Sequence, residues 1–294
     1  CDVDWMKMYQ REEENPYVDA FWEWWPEVRK TLNILRITGG EPTMHTSTWR
    51  ILDSIDKDPM PWLELNVNSN LGTKPALIEK LADSVKKLCD ENKIRSFKLF
   101  TSMDTWGKRA EYIRTGLDLE IWEKNFHTYL TRTNSPVTFM MTFNILAVTT
   151  FKTLLEKILE WRNIYGWYDD PVNPQHRVRF DTPYLKEPIQ YDMNILPKDE
   201  FMPYMYEALK FMEDNVDDKA SNKFTSLEYE KFKRVVGYMA ETTYSEEKLI
   251  IGRRDFYNWF NELDERRDTD MLSIFPEMMN FYRLCQETNR LNPL

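Results

Sequence analysis

A chain of 294 residues that is 42% apolar and 14% aromatic can bury a sizeable core, which excludes a disordered or fibrous class. Its 49 acidic against 39 basic residues leave a net charge of -10, which opposes broad sequence-independent attraction to nucleic acid or anionic lipid. No apolar run reaches about 18 residues, no signal-peptide pattern opens the chain, and the cysteines at positions 1, 89 and 285 are too scattered for a disulfide framework, so a cytoplasmic protein with no membrane span is expected.

Residues 1–16 are polar and acidic and read as a solvated loop. Residues 17–32 read as a helix whose Phe21, Trp22, Trp24 and Trp25 cluster as core packing, with Pro26 bending or restarting it. A strand is expected over 33–38, a helix over 47–55 and a strand over 62–67, where Leu63, Leu65 and Val67 alternate with Glu64 and Asn66. Leu77, Ile78, Leu81, Val85 and Leu88 mark a helix over 75–92. Further strands are expected over 96–101, 137–143 and 177–182, and further helices over 108–133 and 151–164. The first of these helices breaks near Gly116 and restarts with Asp118 as N-cap.

Strand, loop and helix thus alternate five times, which argues parallel βαβ units in either an open sheet or a barrel. Right-handed crossovers bring the polar strand exits to one edge: Gly39-Gly40-Glu41, Asn68-Ser69-Asn70, Ser102 to Asp104, Asn144 and Asp181. After Pro197 the texture becomes helical, over 198–215, 225–242 and 246–267, with 214–222 the most linker-like stretch. A division into a core of residues 1–197 and a helical extension of residues 198–294 follows.

The stretch Ile34 to Met44, ILRITGGEPTM, carries the most chemistry. Gly39 and Gly40 allow positive φ or close approach to a ligand, while Pro42 stiffens the exit and holds Glu41 extended. This strand followed by Gly-Gly-Glu-Pro resembles the radical S-adenosylmethionine enzymes, and the resemblance runs over roughly residues 1–196. It implies a partial (β/α)6 TIM-like barrel, here lacking its first strand. It also implies that Gly39, Gly40, Glu41 and Pro42 hold the amino group of the methionyl moiety. Ser102, Asp104 and Arg114 match the positions that reach the ribose or carboxylate of S-adenosylmethionine, and Asn144 is a further candidate on the cofactor side.

Family chemistry begins at a [4Fe-4S] cluster on a CxxxCxxC motif, fed by an external electron donor. Cys1 stands where the last of those cysteines would fall, so the chain is expected to open at that metal ligand and, as it stands, to be inactive. The resemblance leaves the substrate unread, with a peptide or protein as the expectation. Two rivals stand beside this reading: an α/β-barrel lyase or hydrolase using Glu41, Asp104 and Asp181, and a non-catalytic binding module with aromatic helices as its partner surface. His45, His127 and His176 lack partners at metal-ligand spacing and read as packing or surface residues. Arg253-Arg254 and Arg266-Arg267 read as solvated helix faces.

Overall fold

A computed structural model describes residues 15–168 and 175–293. Its centre is a five-stranded, wholly parallel sheet of β1 (Ile34–Ile37), β2 (Met60–Asn68), β3 (Ile94–Ser102), β4 (Val137–Met140) and β7 (Val178–Asp181), in that spatial order. Between β4 and β7 the short strands β5 (Trp167–Tyr168) and β6 (Gln175–His176) form a separate antiparallel pair. Each main strand therefore lies beside its predecessor in the chain, with no reversal of order of the kind that marks a doubly wound sheet.

Alternation explains which face is covered. Leu63, Leu65 and Val67 of β2, Phe97 and Leu99 of β3, Val137 and Phe139 of β4, and Val178 and Phe180 of β7 are buried on one face. Of the alternate residues, Glu64, Lys98, Thr138 and Arg179 are only partly buried, while Asn66 is buried. A parallel sheet ordinarily has both faces covered by helices. Among the described residues, no helix covers the other face as the first is covered, and it carries mostly polar side chains.

On the covered face, α2 (Thr46–Lys57) buries Ile51, Leu52 and Ile55, and α3 (Pro75–Asp90) buries Ile78, Leu81, Ala82, Val85 and Leu88 at helical spacing. α4 (Lys108–Ile113) and α5 (Leu119–Arg132) are separated at Gly116, whose φ of 81° lies in the left-handed region. The Asp118 carboxylate accepts from the Ile121 N–H at 3.0 Å and starts α5, as the sequence predicts. Trp122 and Phe126 of α5 stack at 5.1 Å, and Trp161 of α6 (Phe151–Tyr165) stacks on Phe139 of β4 at 5.4 Å. Each such buried aromatic stabilises the fold by about 1.5–3 kcal/mol relative to an exposed one.

The first helix, α1 (Pro16–Val28), runs through Pro26 rather than restarting there. Trp25 is buried and donates from its indole to Ser54 Oγ at 2.9 Å, whereas Trp24 remains exposed. The expected packing role therefore holds for part of that aromatic cluster only.

Beyond Pro197 the chain is helical: α7 (Lys198–Glu213), α8 (Ser226–Glu241), α9 (Glu246–Arg267), the single turn α10 (Met271–Ile274) and α11 (Met279–Leu291). The last two were not legible in the sequence pattern. α8 packs on α7 and on β7, and α9 packs on α11. The linker-like segment carries a bridge between Val216 and Phe224. One contiguous hydrophobic cluster spans from Trp25 to Cys285.

Two ties fasten the end of the chain to α4. Arg109 donates to the Ile274 carbonyl at 3.2 Å and pairs with Glu277 at 3.0 Å, while the Tyr112 hydroxyl donates to Asp264 at 2.9 Å. Among the described residues no helix is long and apolar enough to cross a membrane.

Candidate functional site

The Gly-Gly-Glu-Pro turn sits at the carboxyl end of β1. Gly39 (φ 97°) and Gly40 (φ 52°) both adopt the left-handed region, and a Cβ built on either would meet nothing within 4 Å. Conformation, not crowding, thus requires glycine here. Pro42 starts a 3-10 turn, Pro42–Met44, for which Glu41 is the N-cap.

The Glu41 carboxylate links two strand ends. Its Oε1 accepts from the Thr43 N–H at 3.1 Å, the Thr43 hydroxyl at 2.7 Å and the Ser69 hydroxyl at 2.9 Å, and its Oε2 accepts from the Asn70 N–H at 2.7 Å. Ser69 and Asn70 follow β2 directly. Their role was missed at residue level, although the run Asn68-Ser69-Asn70 is visible as a polar strand exit.

Asn70 also lines a cavity of about 350 Å³, together with Gly72, Ser102 and the segment from Ile113 to Leu117. That volume lies within the range of small-molecule sites. Three elements meet there: the exit of β2, the last residue of β3, and Arg114, the C-cap of α4.

Arg114 and Asp104 are paired at 2.8 Å. Asp104 is buried, accepts from the Thr142 N–H at 2.8 Å, and does not line the cavity. Burial lifts its carboxyl above the ordinary carboxylate range, against the opposing pull of the Arg114 charge and the Thr142 N–H. Asp104 therefore acts on the site through Arg114, whose guanidinium it orients. The Arg114 Nε is buried with no partner among the described residues, a donor that a ligand would satisfy.

Asn144 is also buried and away from this lining. Its Oδ1 accepts from the Leu146 N–H at 3.0 Å and its amide donates to the Thr142 carbonyl at 3.0 Å, so it caps the turn Ile145–Ala147. Among the sequence-predicted residues, Ser102 and Arg114 line the cleft, Glu41 is tied to it through Asn70, Asp104 backs it through Arg114, and Gly39, Gly40, Pro42 and Asn144 stand outside its lining. Asp181 pairs with Lys231 at 3.0 Å, so the carboxylates of the lyase or hydrolase reading have separate partners. Cys1 lies outside the described residues.

A second cavity, of about 560 Å³, opens on the uncovered face of the sheet. Lys98, Phe100, Thr138 and Arg179 form its floor, with Trp167 and His176 on one side and Lys231 of α8 on another. Phe100 lines this cavity and Ser102 the first, and two residues of strand span about 7 Å. The two cavities are neighbours along one face of β3.

His176 is buried, stacks on Trp167 at 4.6 Å and reaches the Ala220 carbonyl at 3.2 Å. Burial, reinforced by the Arg162 charge, holds its pKa down at about 4, from an ordinary 6.5. Unfolding lets His176 take up a proton at higher pH than the folded state does. Its contribution is therefore intact above pH 6.5 and is lost as pH falls toward about 4. Across that window the wild type should lose up to about 3 kcal/mol relative to His176→Gln, in denaturant titrations of the two proteins at paired pH values.

No protein-family model, curated protein or solved structure matches this chain. Function therefore has to be argued from the site itself.

The residues of the first cleft suit the methionyl end of S-adenosylmethionine. Arg114 and Ser102 offer donors for a carboxylate, and Glu41, joined to the lining residue Asn70, offers a carboxylate for an ammonium. The iron–sulfur cluster finds no such match among the described residues, which contain no group of three His, Cys, Asp or Glu side chains placed to hold a metal ion. Cys285 is buried in the helical region, and Cys89 lies 4.0 Å from Ser135.

Proposed function

We propose that this protein is a radical S-adenosylmethionine enzyme, with the cofactor in the cleft of Asn70, Ser102 and Arg114 and the substrate on the uncovered face of the sheet. The observation that carries this reading is the Glu41 carboxylate. It ties the exits of β1 and β2 together beside a cleft walled by an arginine with an unsatisfied buried donor. The reading of the sheet as an arc of a (β/α)6 barrel is supported by the sequential order of its five parallel strands and by its single covered face.

When bound and reduced through its cluster, this cofactor supplies homolytic hydrogen abstraction from a substrate C–H bond. The chain's own part is to bind and orient. Arg114, aligned by Asp104, clamps the carboxylate. Glu41 accepts from the ammonium while keeping the two strand ends in register. Phe100 and Ser102, on one face of β3, set the distance between the reacting partners, which is where much of the rate advantage of a bound pair arises.

The test is anaerobic reconstitution of the full-length natural protein with iron and sulfide, then reduction in the presence of S-adenosylmethionine. Iron–sulfur absorbance and release of methionine and 5'-deoxyadenosine are expected. Arg114→Met should weaken cofactor binding by about tenfold or more, the usual loss for a charge-assisted hydrogen bond. Absence of both the absorbance and the cleavage products would overturn the proposal.

A further inference from the structure

The uncovered face of the sheet carries a row of three side chains that the cofactor reading does not use. Arg36, Asn66 and Lys98 are direct register partners across β1, β2 and β3, so their Cα atoms span about 10 Å. The row lies beside Phe100, which lines the larger cavity.

Arg36 is exposed. Its Nε donates to Asn68 Oδ1 at 2.9 Å, and its guanidinium lies 4.2 Å from the centroid of the Phe100 ring. A neutral amide and an aromatic face are its partners, and no carboxylate pairs with it among the described residues. Lys98 shares one carboxylate, Glu64, with Arg95, at 2.8 and 3.7 Å. Burial raises the Glu64 carboxyl, but the hydrogen bonds from Lys98 and Asn66 outweigh it and hold the group below its ordinary range. In this row Lys98 thus shares its one carboxylate with Arg95, and Arg36 pairs with none among the described residues, in a protein whose net charge is -10.

Asn66 supplies an independent sign of a ligand. It is 5% exposed, its amide donates to Glu64 Oε1 at 3.1 Å, and its Oδ1 is buried with no partner among the described residues. A buried acceptor left unsatisfied costs about 1–3 kcal/mol, and a bound donor would remove that cost. Arg36 is long and exposed, so its guanidinium can lift from Phe100 and open the approach to Asn66.

We propose that Arg36, Asn66 and Lys98 form a binding site for a carboxylate with a neighbouring N–H, the chemistry of an acylated acidic amino acid or of an acidic residue within a peptide. Arg36 forks onto the carboxylate and Lys98 adds the second positive charge. Asn66 Oδ1 accepts from the N–H, a donor that a phosphate monoester dianion lacks. The Phe100 ring and the adjoining cavity take the apolar remainder. Naming this as the substrate site rests on the function proposed above, whereas the site itself does not.

The test is calorimetric titration, without S-adenosylmethionine, of N-acetyl-L-glutamate, its uncharged isostere N-acetyl-L-glutaminamide, in which both carboxylates are amides, and the capped peptide acetyl-Ala-Glu-Ala-amide. The glutamate probes should bind and the uncharged isostere should be at least tenfold weaker. Arg36→Met should weaken the acidic probes by about tenfold or more, with partial recovery in Arg36→Lys. The tighter of the two acidic probes identifies the source as a small molecule or a peptide. Equal binding of the uncharged isostere, no response to Arg36→Met, or no binding of either acidic probe would overturn the proposal. Failure here leaves the cofactor reading intact, and failure of cofactor cleavage leaves this binding intact.

Discussion

Arg162→Met should destabilise the protein by about 3–5 kcal/mol, the usual penalty for removing one partner of a buried ion pair. The Arg162 side chain is fully buried between α6 and α8. Its guanidinium meets Glu228 at 2.6 and 3.1 Å and donates to the carbonyls of Val178 at 2.9 Å and Lys223 at 2.7 Å. The substitution would strand a carboxylate and two carbonyls at once. Against a typical net stability of about 5–15 kcal/mol this is at least about a fifth of the total. Chemical denaturation should show a lower midpoint with an unchanged slope. Arg162→Met with Glu228→Gln should recover part of the loss, because the stranded charge is gone while the capping-box contact at Thr225 retains an acceptor. A second readout is local: losing the Arg162 charge should let His176 titrate above its value of about 4 in NMR titrations. A loss under about 1 kcal/mol would mean that water or a neighbouring cation replaces the guanidinium.

Glu41→Ala should have the largest functional effect, weakening S-adenosylmethionine binding by about tenfold or more and lowering stability by about 1–3 kcal/mol. Four donors lose their acceptor together: the N–H and hydroxyl of Thr43, the Ser69 hydroxyl and the Asn70 N–H. Thr43 and Ser69 are buried, so water cannot fully replace the carboxylate. Glu41→Gln keeps one carbonyl acceptor but turns the other position into a donor, and should fall between the two. Hydrogen exchange at Thr43 and Asn70 should quicken in both variants. If affinity for the cofactor is unchanged while exchange quickens, Glu41 holds the strand ends and nothing more.

Much of the architecture was legible because the alternation at Leu63, Leu65 and Val67 and the helical stripe from Ile78 to Leu88 each obey one simple period. The choice between an open sheet and a barrel stayed open, since periodicity says which face of a strand is buried but not which strand lies beside it. α11 escaped because the apolar Leu284 and Leu291 lie exposed while Phe281 and Cys285 are buried, so its pattern in the sequence does not single out the packed face. At the site, the Gly39-Gly40-Glu41 turn stood out by composition, and the polar exits after β2 and β3 were visible. What could not be read was how roles divide among them. Asp104 and Ser102 look equivalent in sequence, yet one is buried behind Arg114 and the other faces the cleft. Arg36 gives no signal in the sequence, because its significance depends on Asn66 and Lys98, brought beside it only by the sheet.

The anchoring of α4 by the far end of the chain has a consequence for the order in which the molecule assembles. Because each main strand docks on the one made just before it, the sheet can grow progressively while the polypeptide leaves the ribosome. The wall that carries Arg114 cannot be set at that stage. Its fastenings, Asp264, Ile274 and Glu277, are synthesised some 150 residues or more after their partners Arg109 and Tyr112. The cleft is therefore among the last parts to take shape, and a nascent chain that already has its sheet would still lack the settled wall around Arg114.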